Sequence, residues 1–193
     1  MMTTATVQRQ GGGADLEAQA VMCGSPLYRE VIDLYRRAFP KEEQTPLWHM
    51  RLMSLLPGVA LRAWRDGEAL AGLTFTVESR TMVWLFYLAV NDAVRSRGYG
   101  SRILAQVRRE AAGRPVVLEI EPVEAGAPNP DQRRRRLAFY ERNGFTPAGC
   151  TIHEGAQRYT LLSDRPFDAQ AFSRMVRRFF LGLESVHLSC DQG

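Results

Sequence analysis

The sequence predicts a single α/β domain whose core is a mixed β-sheet lying between layers of helices. Its 193 residues are enough for one domain, and the hydrophobic fraction of 45% and charged fraction of 24% are typical of a globular protein that buries a core. Segments rich in β-forming residues alternate with amphipathic helical segments, and no repeat or linker divides them. Residues 1–15, rich in glycine, threonine and glutamine, are predicted to form a flexible tail, which leaves residues 16–193 as the domain.

Two helices are predicted near the start of the domain. After a short strand predicted near residues 19–23, Ser25-Pro26 supplies an N-cap followed by proline in the first helical position, and apolar residues recur at helical spacing until Pro40. Thr45-Pro46 repeats this start for a second helix, which is predicted to end at Pro57-Gly58. The first helical layer therefore precedes most of the sheet.

Three strands forming a meander are predicted next. Residues 59–64 and 69–77 are β-rich and are joined by Asp66-Gly67, a two-residue hairpin signal. Residues 81–90 are apolar on both faces, as expected of a central strand that is covered on both sides. This run is about half of the ~20 residues that a membrane-spanning helix needs. Because the start of the chain also lacks an apolar run, a soluble protein without a signal peptide or anchor is expected.

The second half of the chain alternates helices with strands. Residues 100–112 form a predicted amphipathic helix. The segment Asn129-Pro130-Asp131-Gln132 is a close variant of the capping box, and the helix it begins is predicted to end at Asn143, with Gly144 as C-cap. The remaining predicted elements are strands at 115–120, 145–153 and 156–162 and a C-terminal helix at 167–183. This order fits a mixed sheet with helices on both faces.

Charge and cysteine content narrow the class of protein. The net charge of +4 suits anionic small molecules but is too small and too scattered to indicate a nucleic-acid binder. The three cysteines, Cys23, Cys150 and Cys190, are odd in number and lack metal-ligand spacing, so no disulfide is predicted and Cys150 is expected to be a buried thiol. The three histidines lack ligand spacing as well, and no metal site is predicted. A reducing cytoplasm is the expected compartment.

The most informative segment spans residues 88–104. A buried strand ends at Val90, and the glycines Gly98 and Gly100 begin a helix. Amide groups at a helix start are unpaired and the helix dipole favours negative charge there, so glycines at this point allow a pyrophosphate to approach the backbone. Positive charge around this point comes from Arg95, Arg97 and Arg102. The alternative is an ordinary tight turn into a helix.

Two motifs in register resemble the GNAT superfamily of N-acetyltransferases. The segment Arg95-Ser96-Arg97-Gly98-Tyr99-Gly100 is similar to the Arg/Gln-x-x-Gly-x-Gly/Ala acetyl-CoA loop of that superfamily. Phe139-Tyr140, followed by Asn143-Gly144-Phe145, resembles its second signature, a helix that carries a tyrosine and ends in Gly-Phe. The motifs lie about 40 residues apart with one strand between them, and the resemblance covers residues 16–163.

The resemblance implies a three-layer fold with a partly splayed sheet and an extra C-terminal helix. The strand ending at Val90 would separate from the strand at 115–120, and the pantetheine arm of acetyl-CoA would lie in the gap. The implied contacts with acetyl-CoA are Leu88, Ala89, Val90, Arg95, Ser96, Arg97, Gly98, Tyr99, Gly100, Ser101, Arg133 and Phe139. The sequence departs from the family at Arg133 and Arg136, where many members have asparagine and alanine, so the role of that asparagine is not carried over. Arginines there would reach the phosphates or a neighbouring strand, or form a solvated helix face.

The resemblance also implies direct transfer of acetyl from acetyl-CoA to a primary amine, with no covalent enzyme intermediate. A backbone N–H near Leu88 would polarise the thioester carbonyl. Tyr140 would protonate the departing thiolate, because a thiol pKa of ~8.5 lies only modestly below the ~10 of tyrosine.

A proton acceptor for the incoming ammonium is predicted on the strand at 115–120. Glu119 and Glu121 face the same side of that strand, in an otherwise apolar run where unpaired carboxylates are costly. Since the family places the end of this strand at the acceptor site, one of them is predicted to be the base or to bind the ammonium. The alternative is a salt bridge to the arginine-rich helix that follows. Glu78, at a strand end, is a weaker candidate.

Two other functions stay open at this point. One is a degenerate acyl-CoA-binding module that performs no transfer. The other is nucleic-acid binding through the run of four arginines at 133–136, which would make affinity fall steeply with salt. The expected partners are acetyl-CoA and an amine-bearing small molecule or peptide, without nucleic acid or membrane. The acceptor itself, and the choice between monomer and homodimer, are left open.

Overall fold

The computed structural model describes residues 15–94, 98–124, 126–127, 129–155, 157–182 and 186–190. Five α-helices and eight strands are found there. In chain order they are β1 (Glu17–Ala20), α1 (Pro26–Ala38), α2 (Leu47–Met53), β2 (Val59–Asp66), β3 (Ala69–Glu78), β4 (Val83–Val90), α3 (Tyr99–Glu110), β5 (Val116–Ile120), α4 (Pro130–Arg142), β6 (Thr146–Glu154), β7 (Gln157–Ser163), α5 (Ala169–Phe179) and β8 (Val186–Cys190). Short 3₁₀ turns occupy Lys41–Glu43 and Asp92–Val94.

The strands form one mixed sheet in the order β1-β2-β3-β4-β5-β7-β6-β8. One core packs between the sheet and α1, α2 and α5, and a second packs between the opposite face and α3 and α4. The predicted fold class, a mixed sheet flanked by helices, is thus confirmed. Within the described residues, no helix is both long enough and apolar enough to cross a membrane.

The central strands β4 and β5 separate from each other, as the resemblance implied. They pair in parallel at only two positions, Val83 with Val116 and Trp84 with Val117, and then diverge. On its other edge β4 stays paired with β3, where a register shift leaves Phe86 as an extra, bulged residue. A bulge bends its strand and increases the local twist. The consequence is a gap between the carboxyl-terminal halves of β4 and β5.

The cysteine prediction was wrong. Cys150 on β6 and Cys190 on β8 form a disulfide, and the two residues lie opposite each other on neighbouring antiparallel strands. Of the three cysteines, only Cys23 is free, and it is exposed. The sequence analysis predicted a long C-terminal helix and did not predict β8. Without β8, nothing places Cys190 beside Cys150.

Several predicted element ends also need correction. The first strand lies earlier, at Glu17–Ala20, and the last helix begins at Ala169, because the Asp168 side chain accepts hydrogen bonds from the amides of residues 170 and 171. It ends at Phe179, and the chain then takes positive φ at Leu181 and Gly182. The predicted tail, apart from Asp15, lies outside the described residues.

Two side chains that were predicted to cap helices form other hydrogen bonds instead. Pro46 occupies the cap position of α2, and the hydroxyl of Thr45 instead lies 3.0 Å from the hydroxyl of Tyr87. Asn129 does occupy the cap position of α4, but its side chain makes no capping hydrogen bond there and accepts one from Arg133 Nε at 2.9 Å. For Thr45 a tertiary contact has replaced the local one, whereas Asn129 contacts a side chain one turn along α4.

Candidate active site

The gap between β4 and β5 opens into a cavity of about 730 Å³. Because the gap passes through the sheet, the cavity meets both helical layers. Its lining comes from β4, β5, α4, the α1–α2 connection and the β6–β7 hairpin. The lining residues used below are Glu43, Phe86, Tyr87, Leu88, Val90, Glu119, Glu121, Arg136, Tyr140, Glu154 and Tyr159.

The first amides of α3 have no side-chain cap. Gly98 is in the left-handed region with φ of 68° and makes no side-chain cap, and the first helical hydrogen bond runs from the Arg102 amide to the Gly98 carbonyl at 3.1 Å. A Cβ on Gly100 would lie 2.9 Å from the Phe139 ring, so glycine permits α3 to pack closely on α4. The hydroxyl of Tyr99 donates to Asp66. The implied contacts Arg95, Ser96 and Arg97 lie outside the described residues.

Tyr140 lies on α4 with its ring buried against Phe139 and Phe145. It lines the cavity, and no described residue forms a hydrogen bond with its hydroxyl. Burial raises the pKa of Tyr140 to about 12, and the positive charge of Arg136 acts in the opposite direction. The phenol therefore carries its proton throughout the physiological pH range. Gly144, with φ of 82°, follows the helix as predicted.

Glu121 is ion-paired twice. Arg133 donates to it at 2.6 Å and Arg136 at 3.4 Å. Arg133 also donates to the Pro122 carbonyl at 3.0 Å and to Asn129, so its guanidinium is held by acceptors of this chain. The alternative considered for Glu121, a salt bridge to the arginine-rich helix, is the arrangement found.

Glu119 lies in a different environment, although it is on the same strand. Its Oε2 is buried and has no hydrogen-bond partner among the described residues. Burial, and then the carboxyl group of Glu154, raise the pKa of Glu119 well above the usual value of a glutamate. The Trp84 indole lowers this pKa, although its own N–H reaches no described acceptor with hydrogen-bond geometry. A carboxyl group of this kind is suited to accepting a proton near neutral pH.

Three carboxyl groups of the cavity are not among the sequence predictions. Glu154 ends β6, and Glu42 and Glu43 lie in the 3₁₀ turn between α1 and α2. Burial, and then Glu121, raise the pKa of Glu43, while Arg136 lowers it. Glu78, the weaker candidate, lies elsewhere: it pairs with Arg114 at 2.8 Å and does not line this cavity. Neither Glu43 nor Glu154 belongs to a sequence motif, so only the fold brings them to Glu119.

Comparisons with known proteins agree with this architecture. Residues 58–147 match a family model described as an acetyltransferase (GNAT) domain. A GNAT-family protein of Bacteroides thetaiotaomicron superposes with a TM-score of 0.68 at 24% identity, over 86% of this chain and 97% of its own. A GNAT acetyltransferase of Elizabethkingia anophelis, solved with acetyl-CoA bound, superposes with a TM-score of 0.56 at 16% identity, over 80% of this chain and 100% of its own.

A curated relative gives a shorter match. YjbC of Bacillus subtilis, named as a candidate acetyltransferase, is 30% identical over 71 residues, which are 37% of this chain and 34% of YjbC. The match therefore spans about a third of that relative's length. Together, the family model over residues 58–147 and the shared fold confirm the resemblance to GNAT acetyltransferases found in the sequence.

Proposed function

We propose that the protein is an acetyl-CoA-dependent N-acetyltransferase that moves the acetyl group to a primary amine of a small molecule or peptide. The observation that carries this proposal is the cavity between β4 and β5, which is lined by a protonated phenol, Tyr140, and by a buried carboxyl group, Glu119. A structural neighbour with acetyl-CoA bound supports the choice of acyl donor.

The donor is proposed to lie across the α3 side of the gap. The uncapped amides of residues 98–101, together with the segment at 95–97, would bind the pyrophosphate. Backbone groups of β4 at residues 88–90 are not paired with β5, which leaves one edge of the strand available to the pantetheine arm. An N–H of β4 near Leu88 would stabilise the oxyanion that forms at the thioester carbonyl.

The chemistry then needs one proton acceptor and one proton donor. The acceptor arrives as an ammonium and gives a proton to Glu119, and the free amine attacks the thioester carbonyl carbon. The tetrahedral intermediate collapses with cleavage of the C–S bond, and the departing sulfur takes the proton of Tyr140. The second proton that the amine nitrogen loses as the amide forms restores the Tyr140 phenol. Glu119 is better supported as the base than Glu121, because Glu121 is engaged in ion pairs with Arg133 and Arg136, whereas the Oε2 of Glu119 has no hydrogen-bond partner among the described residues.

The two alternative functions, an acyl-CoA-binding module and a nucleic-acid binder, differ in how well the site geometry supports them. An acyl-CoA-binding module without transfer would use the same donor site, so turnover separates it from an enzyme. Nucleic-acid binding has less support, because three of the four arginines at 133–136 contact carboxylates: Arg133 and Arg136 contact Glu121, and Arg134 contacts Asp131. These contacts neutralise much of the charge that a phosphate backbone would need.

Replacement of Tyr140 by phenylalanine tests the proposal. We expect Tyr140→Phe to lower kcat at least about 100-fold with a panel of primary amines, because general acid catalysis is lost. The affinity for CoA, measured by calorimetry, should stay unchanged. Turnover is read as thiol release from acetyl-CoA. Tyr28→Phe is the matched control, since this hydroxyl contacts Arg51 outside the cavity.

Two results would contradict the assignment. Full activity of Tyr140→Phe would remove Tyr140 from the mechanism. A wild-type protein that binds CoA and acetylates no amine in the panel would identify a binding module instead of an enzyme.

A further inference from the structure

The acceptor side of the cavity carries more carboxyl groups than one proton transfer requires. Glu43, Glu119 and Glu154 all line it, from three different elements. Among the described lining residues, Arg136 is the only basic side chain, and its guanidinium contacts Glu121. The charge of Glu121 is thus compensated within the chain, whereas Glu43 and Glu119 form no ion pair with any described residue.

Glu119 and Glu154 are the carboxyl groups that the sheet contributes to this lining. By strand alternation, Glu119 shares a sheet face with the core residue Val117, and Glu154 shares that face with Ile152. After burial, the carboxyl group of Glu154 contributes to the raised pKa of Glu119, because two like charges disfavour joint ionisation. The buried Oε2 of Glu119 lacks a donor from the protein, and such an atom calls for a donor from a ligand.

Glu43 provides a second carboxyl centre, at the α1–α2 connection. The hydroxyl of Tyr87 donates to the Glu43 carbonyl at 2.7 Å, and the amide of Thr45 donates to that hydroxyl at 3.0 Å. These bonds hold the 3₁₀ turn against β4. Two aromatic rings that line the cavity, Phe39 and Tyr87, lie beside the turn with their centroids 4.7 Å apart. A carboxylate next to aromatic faces is a favourable environment for a cation.

We propose that the acceptor is a molecule with two positively charged groups, a primary amine that reacts beside Glu119 and Glu154 and a second cationic group that Glu43 binds. The inference rests on the proposed function and narrows its substrate class. The reacting ammonium loses two protons as it takes the acetyl group: one goes to Glu119, and the other balances the proton that Tyr140 gives to the sulfur of CoA, which leaves as the free thiol. The second group keeps its charge. A negative group at the same place in the acceptor would be repelled by Glu43.

Acceptors of matched length test this proposal. The probes are butane-1,4-diamine, 1-aminobutane and 4-amino-1-butanol, with thiol release from acetyl-CoA as the readout. We expect kcat/KM for the diamine to exceed that for each monoamine at least about tenfold, because a charged hydrogen bond to Glu43 is added. Glu43→Gln should bring this ratio close to one. Glu141→Gln, which removes a charge from the exposed face of α4, should leave the ratio unchanged.

The outcomes separate the inference from the proposed function. Equal kcat/KM for diamine and monoamine, with turnover present, overturns the inference alone. A high ratio that persists in Glu43→Gln overturns the assignment of the second centre. Thiol release with none of these amines, or with any of a wider panel, overturns the proposed function itself.

Discussion

The two sides of the gap are built in different ways. On the side of α3 and α4, the main features are backbone groups: uncapped amides after Gly98, a close approach of helices at Gly100, and the free edge of β4. On the opposite side, the main features are carboxyl groups delivered by β5, β6 and a 3₁₀ turn. A site made of backbone constrains one continuous segment, whereas a site made of side chains draws on segments that meet only in the fold.

This difference predicts where substitutions are tolerated. Backbone on the α3 side cannot move without moving a strand, so an added methyl group there should be costly. Carboxyl groups on the acceptor side can be replaced by isosteric amides without changing the packing. Substitutions on the α3 side should therefore lower the stability of the protein, and substitutions of the acceptor-side carboxyl groups should lower its activity.

The largest effect on stability is expected at Gly72. A Cβ at this position would lie 2.4 Å from the Ala89 carbonyl oxygen and 2.9 Å from the Ile103 side chain. Because the first neighbour is backbone of β4, relief requires the two strands to separate. We expect Gly72→Ala to lower the free energy of unfolding by about 3 kcal/mol in urea titrations. Gly126→Ala, where a Cβ meets nothing within 4 Å, is the control. Equal stability of the two variants would show that β3 and β4 can move apart to accommodate the methyl group without a loss of stability.

The largest effect on activity alone is expected at Glu119. Glu119→Gln should lower kcat/KM at least about 100-fold, because the proton acceptor is lost, and should leave CoA affinity unchanged. The base acts when it is deprotonated. Its raised pKa therefore means that wild-type kcat/KM increases with pH through a value above that of an ordinary glutamate. This acidic limb should vanish in the variant when rates are measured from pH 5 to 9.

Glu121→Gln provides the comparison on the same strand. Since Glu121 is held by Arg133 and Arg136, its replacement should preserve the acidic limb of the pH profile. If Glu121→Gln removed the limb and Glu119→Gln kept it, the assignment of the base would be reversed.

The same contrast explains what the sequence could predict. Glycine and proline positions, apolar runs and hairpin signals located most helices and strands, and two motifs located the α3 start and Tyr140, because each depends on neighbours in the chain. Glu43 and Glu154 could not be found in this way, since their roles depend on a turn held by Tyr87 and on the β6–β7 hairpin. The disulfide was missed for a related reason: it depends on the pairing of β8 with β6.

The smallest effects are expected in the arginine run of α4, which joins the two sides of the gap. Arg133 and Glu121 are mostly buried, with side-chain exposures of 14% and 16%, whereas Arg134 and Asp131 are 57% and 74% exposed. We expect Arg133→Ala to cost about 2 kcal/mol of unfolding free energy, because a partly buried carboxylate loses its shortest charged hydrogen bond. Arg134→Ala should cost less than about 0.5 kcal/mol.

Urea unfolding at low and high salt distinguishes the two arginines. The small effect of Arg134→Ala should disappear in high salt, because exposed charges are screened, while the effect of Arg133→Ala should persist. If both variants lost equal stability and both effects were screened, the run would be a uniformly solvated helix face. Glu121 would then have no compensating charge within the chain. It would join Glu119 as an available carboxylate, and the contrast between the two glutamates of β5 would no longer hold.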